Sequence, residues 1–288
     1  MTTYDPKNLP PMQLQALLQG AIAPRPICFA STIDAEGNAN LSPFSFFNIF
    51  SSNPPILVFS PARRVRDNTT KHTLENIIEV TEVCINVVNH DMVWQTSLAS
   101  TEYAKGEDEF IKAGFTKEKS ELIKPYRVKE SPVQMECKVN QILPLGTEGG
   151  AGNLIICEVI LVHVNETILY PDTSIIDPHK IDLVSRMGGD WYCRANGDAL
   201  FEIEKPVRNK GIGVDKIPND IRESNILTGN DLGQLGNVEH LPNEDYIIVH
   251  GKIAEGKTMI EIHTLAHQLL HERKVNEAWA VLLYREKK

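Results

Sequence analysis

The chain has 288 residues, 42% hydrophobic and 23% charged, with a formal net charge of −9. That length buries a full core, the acidic balance excludes a basic nucleic-acid-binding face, and no run approaches the roughly 18 apolar residues that cross a bilayer. The first residues, MTTYDPKNLPPMQLQ, lack a basic stretch followed by an apolar one, so no signal peptide is expected.

Five scattered cysteines (Cys28, Cys84, Cys137, Cys157 and Cys193) form no CxxC pair and read as reduced, buried thiols of a cytoplasmic protein. The first strand is expected over 27–33, followed by a turn at 34–38 where Gly37 and Asn38 tolerate positive φ. A second strand, 56–60, is entered through Pro54-Pro55, a placement that proline permits only at a strand start. A short amphipathic helix follows over 73–80 with Thr73 as its N-cap. Residues 82–88 (EVCINVV) read as a buried strand, 91–100 as a helix capped by Asp91, and 101–124 as a polar connector. Two long β runs, 133–143 and 154–164, flank a Gly-rich loop and suggest a hairpin closing a barrel. From Asn196 the sequence turns mixed and polar, with helices expected at 258–272 and 275–284. The expected organisation is a β domain over 1–195 and a helical extension over 196–288, packed on it.

Within 24–73 lie the ingredients for a phosphorylated aromatic ligand. Arg63, Arg64, Arg66 and Lys71 concentrate positive charge opposed in sequence only by Asp67. Lys71, His72 and Thr73 stand at a helix start, where free N–H groups and the helix dipole favour an anion, so Lys71 is placed on the phosphate. Ser31, Thr32, Ser45 and Asn48 offer hydroxyl and amide groups, and Phe46 and Phe47 an aromatic wall. Taken singly, each has an ordinary structural role: the phenylalanines as core, Ser31 and Thr32 as strand packing, the arginines as a solvated loop.

Their order is more specific. The string Ala23-Pro24-Arg25-Pro26, Ser31-Thr32-Ile33-Asp34, Gly37, Asn40 to Asn48, Pro54-Pro55, then Lys71-His72-Thr73-x-x-Asn76-Ile77 resembles the flavin reductase-like, FMN-binding split-barrel family. The resemblance is clearest over 20–90 and extends to Ser185-Arg186-Met187-Gly188-Gly189-Asp190-Trp191-Tyr192, which is similar to the family's arginine, Gly-Gly, aromatic segment. It implies a mainly β fold, a Greek-key split β-barrel with flanking helices, that binds FMN at a homodimer interface. It places flavin contacts on Ser31, Thr32, Ser45, Phe46, Phe47, Asn48, Ser60, Lys71 and Thr73, with Arg64 or Arg66 as the other candidates for the phosphate. Where the family commonly has Lys-Asp-Thr, this chain has Lys71-His72-Thr73, which removes a carboxylate from beside the phosphate. The implied activity is NAD(P)H-dependent flavin reduction, with NAD(P)H as a transient donor and a protein as a further acceptor. The alternatives are a non-enzymatic FMN electron carrier resembling flavoredoxin and an oxidase on the same barrel type. Hydride transfer needs positioning rather than side-chain chemistry, so no catalytic acid or base is nominated.

Three other patterns carry less. His263, His267 and His271 recur every four residues, a metal-ligand spacing, but no His-Glu-x-x-His occurs and an apolar stripe runs beside them, so no metal site is expected. The loop 146–152 leads into a strand rather than a helix, and Gly211-Ile212-Gly213 lacks a third glycine, so neither reads as a nucleotide loop.

Overall fold

The computed structural model describes residues 1–203 and 210–284, which fall into two compact units, Met1–Phe201 and one beginning at Glu202. The first unit holds all eleven strands: β1 Cys28–Ile33, β2 Ala39–Phe44, β3 Phe47–Ser52, β4 Pro55–Phe59, β5 Glu82–Val87, β6 Lys117–Glu118, β7 Arg127–Val128, β8 Val133–Pro144, β9 Asn153–Val164, β10 Leu183–Gly188 and β11 Trp191–Ala195. Seven of them form one antiparallel sheet in the order β2-β1-β5-β8-β9-β4-β3, and β10-β11 and β6-β7 are separate hairpins. The helices of this unit are α1 Pro11–Ala21, α2 His72–Glu79, α3 Val93–Leu98, α4 Glu109–Ala113 and α5 Pro178–Ile181. The architecture is mainly β, a split barrel with flanking helices.

Strand alternation divides the apolar residues between two cores. Cys28 and Ala30 of β1 face one core with Phe44, Phe59, Ile85, Cys137 and Ile155, onto which α2 packs through Leu74 and Ile77. Phe29 and Leu41 face the other, with Met92, Phe110, Phe115 and Val128. The β8-β9 hairpin is the long one expected, with registers from Val133↔Val164 to Pro144↔Asn153. Its loop closes tightly: a Cβ on Gly152 would lie 2.6 Å from Ser60 Oγ, so a larger residue there would have to turn that hydroxyl aside.

Several element ends differ from expectation. α2 opens at His72 with Lys71 as N-cap and no side-chain cap bond, because Thr73 Oγ1 donates instead to Asn40 Oδ1 at 2.8 Å. Asp91 sits inside a 3₁₀ turn, His90–Met92, and α3 starts only at Val93. The polar stretch 101–124 contains α4, N-capped by Asp108. α1 lies outside the expected elements: it starts at Pro11, proline being suited to a first turn, and none of its residues is buried.

The second unit has no strand among its described residues. It contains α6 Asn219–Arg222, α7 Gly229–Gly236, α8 Glu244–Gly251, α9 Met259–His271 and α10 Val275–Leu283. The last two match the expected helices; α9 begins with a capping box, Thr258 with Glu261. Their core gathers Ile217, Ile221, Leu235, Ala266, Leu270, Ala278 and a fully buried Trp279, whose Nε1 donates to Leu235 O at 3.0 Å. Gly211 is no nucleotide loop: a Cβ there would lie 2.5 Å from Gly236 O, so the residue serves a close backbone crossing. Among the described residues no helix is long and apolar enough to cross a membrane.

Candidate functional site

Three segments converge on one polar cleft. β2 presents Asn40 and Ser42 on the same face while Leu41 points into the core behind, as a two-residue period requires. The start of α2 brings Lys71, His72 and Thr73, and the chain leaving α3 brings Ser100 to Tyr103. The first N–H groups of α2, at His72 and Thr73, precede the intrahelical ladder and face outward along the helix axis.

Lys71 is half-buried, and among the described residues its ammonium has neither an ion-pair partner nor a hydrogen-bond acceptor. Burial pulls its pKa below the ordinary lysine value, the neighbouring Arg64 charge pulls the same way, and Glu102 opposes them. An anion in the cleft would supply the countercharge that the protein does not.

The floor is a buried polar network. Thr73 Oγ1 donates to Asn40 Oδ1 (2.8 Å), Asn40 Nδ2 to Glu109 Oε1 (2.9 Å), and Leu41 N to Glu109 Oε2 (3.0 Å). Asn76 Nδ2 donates to Thr32 Oγ1 at 3.2 Å. Burial raises the Glu109 pKa despite the donors from Leu41 and Asn40. Glu109, Ser42 and Ser100 are absent from the residues expected from sequence. Glu109 belongs to a stretch whose composition reads as connector, and only the fold brings it under β2, 69 positions from Asn40.

The arginine cluster is less available than the sequence implies, because a second carboxylate joins it. Glu102 accepts from Arg64 Nε at 3.0 Å and from Arg66 Nη2 at 2.9 Å. Arg64 also donates to Thr70 O and to Thr69 Oγ1. It lines the cleft, whereas Arg66 does not and has a 73% exposed side chain paired to Asp67 and Glu102. Arg63 is turned onto Asn68.

The remaining expected residues are distributed around this cleft. Ser31 and Thr32, adjacent in β1, point to opposite faces of the sheet; Thr32 joins the cleft floor, and Ser31 is wholly buried with its Oγ unpartnered. Ser45 lines a second groove with Thr96, Ser97, Arg186 and Tyr192, and Ser100 is common to both clefts. Arg186 stacks over the Tyr192 ring at 4.5 Å and donates to Gly189 O, so the hairpin β10-β11 holds its own guanidinium in place. Phe46, 40% exposed, looks into a third, apolar cleft with Leu14, Leu18, Ile22 and Val65. Arg25 borders that cleft and donates to Ser45 Oγ at 3.4 Å. Phe47 packs on the barrel core, Asn48 is exposed on β3, and Ser60 packs beside Gly152. None of these three lines the clefts described.

A split barrel carrying a polar, cation-bearing cleft next to a partly aromatic one defines a flavin reductase-like domain, and comparison with known proteins agrees. The family described as "Flavin reductase like domain" matches residues 21–174, and the chain belongs to that family. An uncharacterized protein of Aquifex aeolicus is 34% identical over 190 residues, covering 66% of this chain and 94% of its own. Among solved structures, nitrilotriacetate monooxygenase component B from Bacillus cereus is similar at 30% identity with TM-score 0.65, over 70% of this chain and 98% of its own. A putative flavin reductase with split barrel domain from Shewanella frigidimarina aligns at 26% identity with TM-score 0.60, over 71% of this chain and 100% of its own. These proteins are matched over nearly their whole lengths and leave about a third of the present chain unmatched.

Proposed function

We propose that the barrel unit binds FMN and acts as an NAD(P)H-dependent flavin reductase. The observation that carries the reading is Lys71: a half-buried, unpaired cation at a helix start, in a cleft lined by Ser42, Ser100 and outward N–H groups. In this reading the phosphate takes the Lys71 cleft, with Arg64 alongside. Ser100 would hold the ribityl chain, and Ser45 and Phe46 would flank the ring. FMN held there would supply the hydride-accepting redox chemistry. The chain's own residues neutralise the phosphate, set the ring's orientation and keep water from it. The apolar cleft bordered by Phe46, Leu14 and Leu18 has the character needed for a flat second ring.

A homodimer is part of the reading. β3 is an edge of the sheet, and its Ile49 and Phe50 are 60% and 68% exposed, the kind of edge that proteins cover. A cytoplasmic setting suits the five free cysteines.

Stopped-flow reduction of the FMN-loaded protein by NADH and by NADPH tests the activity. Fast bleaching with turnover of added FMN is expected; slow bleaching without turnover indicates the electron carrier instead. Protein that stays colourless with added FMN rejects the whole reading. Lys71→Ala is expected to weaken FMN binding by about 1.5–3 kcal/mol, roughly 10- to 150-fold, as one charge-assisted contact is lost. Unchanged affinity would move the phosphate to Arg64 or Arg66.

A further inference from the structure

The three histidines of α9 recur at equal spacing, but the fold sorts them into different surroundings. His263 is buried, with its Nδ1 2.8 Å from Ser224 Oγ. His267 and His271, one turn further on, lie together, ring centroids 4.5 Å apart at 72°. From α7 comes a residue that the histidine spacing does not reveal: Asp231, whose Oδ2 is 2.9 Å from His267 Nδ1. Asp231, His267 and His271 each offer a ligand atom, and the three atoms lie within 4.8 Å of one another.

We propose that Asp231, His267 and His271 form a binding site for a divalent transition metal, zinc above all, that ties α7 to α9 within the helical unit. Two imidazoles and one carboxylate are a donor set suited to zinc and its first-row neighbours. Two ligands at about 2.0–2.1 Å in a tetrahedral arrangement stand roughly 3.3 Å apart, so the observed 2.9 Å between Asp231 and His267 is near the required edge. Histidines four apart on a helix share a face, and here both face the same carboxylate.

The carboxylate is also held in advance. Thr228 N and Thr228 Oγ1 each donate to Asp231 Oδ2 at 2.7 Å, and Asp231 itself is buried. Hydrogen bonds behind a ligand that fix its direction are a regular part of metal sites. His271 is exposed, which leaves an entry path from solvent and a fourth position for water. An Asp231–His267 ion pair on its own accounts for His267 but not for His271, whose ring forms no hydrogen bond among the described residues. On binding, the ion takes the place of the proton between His267 Nδ1 and Asp231: a neutral imidazole moves that proton to Nε2, and an imidazolium releases it to solvent. The site lacks the general base of a His-Glu-x-x-His motif, so its role is to fasten the helices.

The test uses the full-length, tag-free protein, stripped with a chelator and desalted. Zinc is titrated by calorimetry, its stoichiometry is measured by elemental analysis, and thermal unfolding is followed with and without it. One zinc per chain and a raised melting temperature are expected. Loss of a hydrogen-bonding partner behind a metal ligand costs about 10- to 100-fold in affinity, so His271→Ala, which removes a ligand, is expected to cost at least roughly 100-fold. Because His271 is exposed, that variant should keep its fold, which circular dichroism checks. His240→Ala, an exposed histidine elsewhere in this unit, should bind zinc as the parent does. His271→Cys, which restores a ligand, should recover binding. Absence of zinc binding by the folded parent, or equal binding by parent and His271→Ala, would overturn the proposal.

Discussion

Two buried carboxylates of the barrel unit show how differently the same group can be used. Glu136 of β8 accepts from the backbone N–H groups of Glu121, Leu122 and Ile123 and sits 2.8 Å from His163 Nε2. Burial pushes its pKa up, but those N–H groups and His163 outweigh it, and the net shift is downward. Glu109, under the candidate FMN cleft, has only Leu41 N and Asn40 Nδ2, and there burial wins and the pKa rises. Three backbone donors and an imidazole outweigh the cost of burial at Glu136, and the two donors at Glu109 do not. The first holds a loop to the sheet, while the second ties α4 to β2 beneath the cleft.

The largest effect that would test this contrast is Glu136→Ala, which strands three N–H groups, that of Ile123 fully buried, together with His163. It is expected to cost about 3–5 kcal/mol in chemical unfolding; a cost similar to that of Glu109 would erase the distinction. Glu109→Gln, which keeps one acceptor and turns a donor on its neighbours, is expected to cost about 1–3 kcal/mol, with FMN affinity not reduced. A large fall in affinity would show Glu109 to be needed as an anion.

The contrast also has a pH signature. Glu136 has a lowered folded-state pKa, so its contribution is fully present above about pH 4.5, the ordinary glutamate value, and is lost as pH falls through the lower folded value. Glu109 has a raised one, so the native state holds its proton more tightly and gains stability as pH falls through the raised folded value, the gain being complete below about pH 4.5. Denaturant titrations from pH 7 to pH 3 should therefore show the gap between parent and Glu136→Gln narrowing in acid. The gap between parent and Glu109→Gln should widen first as acid is added. Equal slopes would remove the difference in environment.

The smallest effect is expected at Arg66, whose charge is spent at the surface on Asp67 and Glu102. Arg66→Ala should leave stability nearly unchanged in chemical unfolding and FMN affinity within roughly twofold, by fluorescence quenching. A loss matching that of Lys71→Ala would move the phosphate outward.

Much of the barrel is legible from local pattern. The runs 133–143 and 154–164 become β8 and β9 nearly residue for residue, because long β-branched runs around a Gly-rich turn have few other solutions. The start of α2 was legible to one residue; Thr73 was misplaced as its cap because its hydroxyl is taken by Asn40, 33 positions away. α1 lay outside the expected elements although Leu14, Leu17 and Leu18 stand at helical spacing, because the stripe is short and none of the helix is buried in the core. At the candidate site, Lys71 and its flanking residues were visible as a basic helix start. Glu102, which neutralises two arginines, and Glu109, which floors the cleft, were not, since nothing in residues 101–124 marks which face the chain will return to.

The order of residues from Pro24 to Thr73, with the periods of the strands, was enough to determine the family, the barrel and the presence of an anion-seeking segment. These depend on neighbours in sequence, where alternation and turn chemistry act. Only the tertiary structure decided which charges stay unpaired, which of two adjacent residues such as Ser31 and Thr32 joins the polar network beneath the cleft, and that Asp231 meets His267 and His271 while His263 turns to Ser224. Those outcomes hang on contacts between distant segments. Burial and pairing, not residue type, then set what each polar group can do.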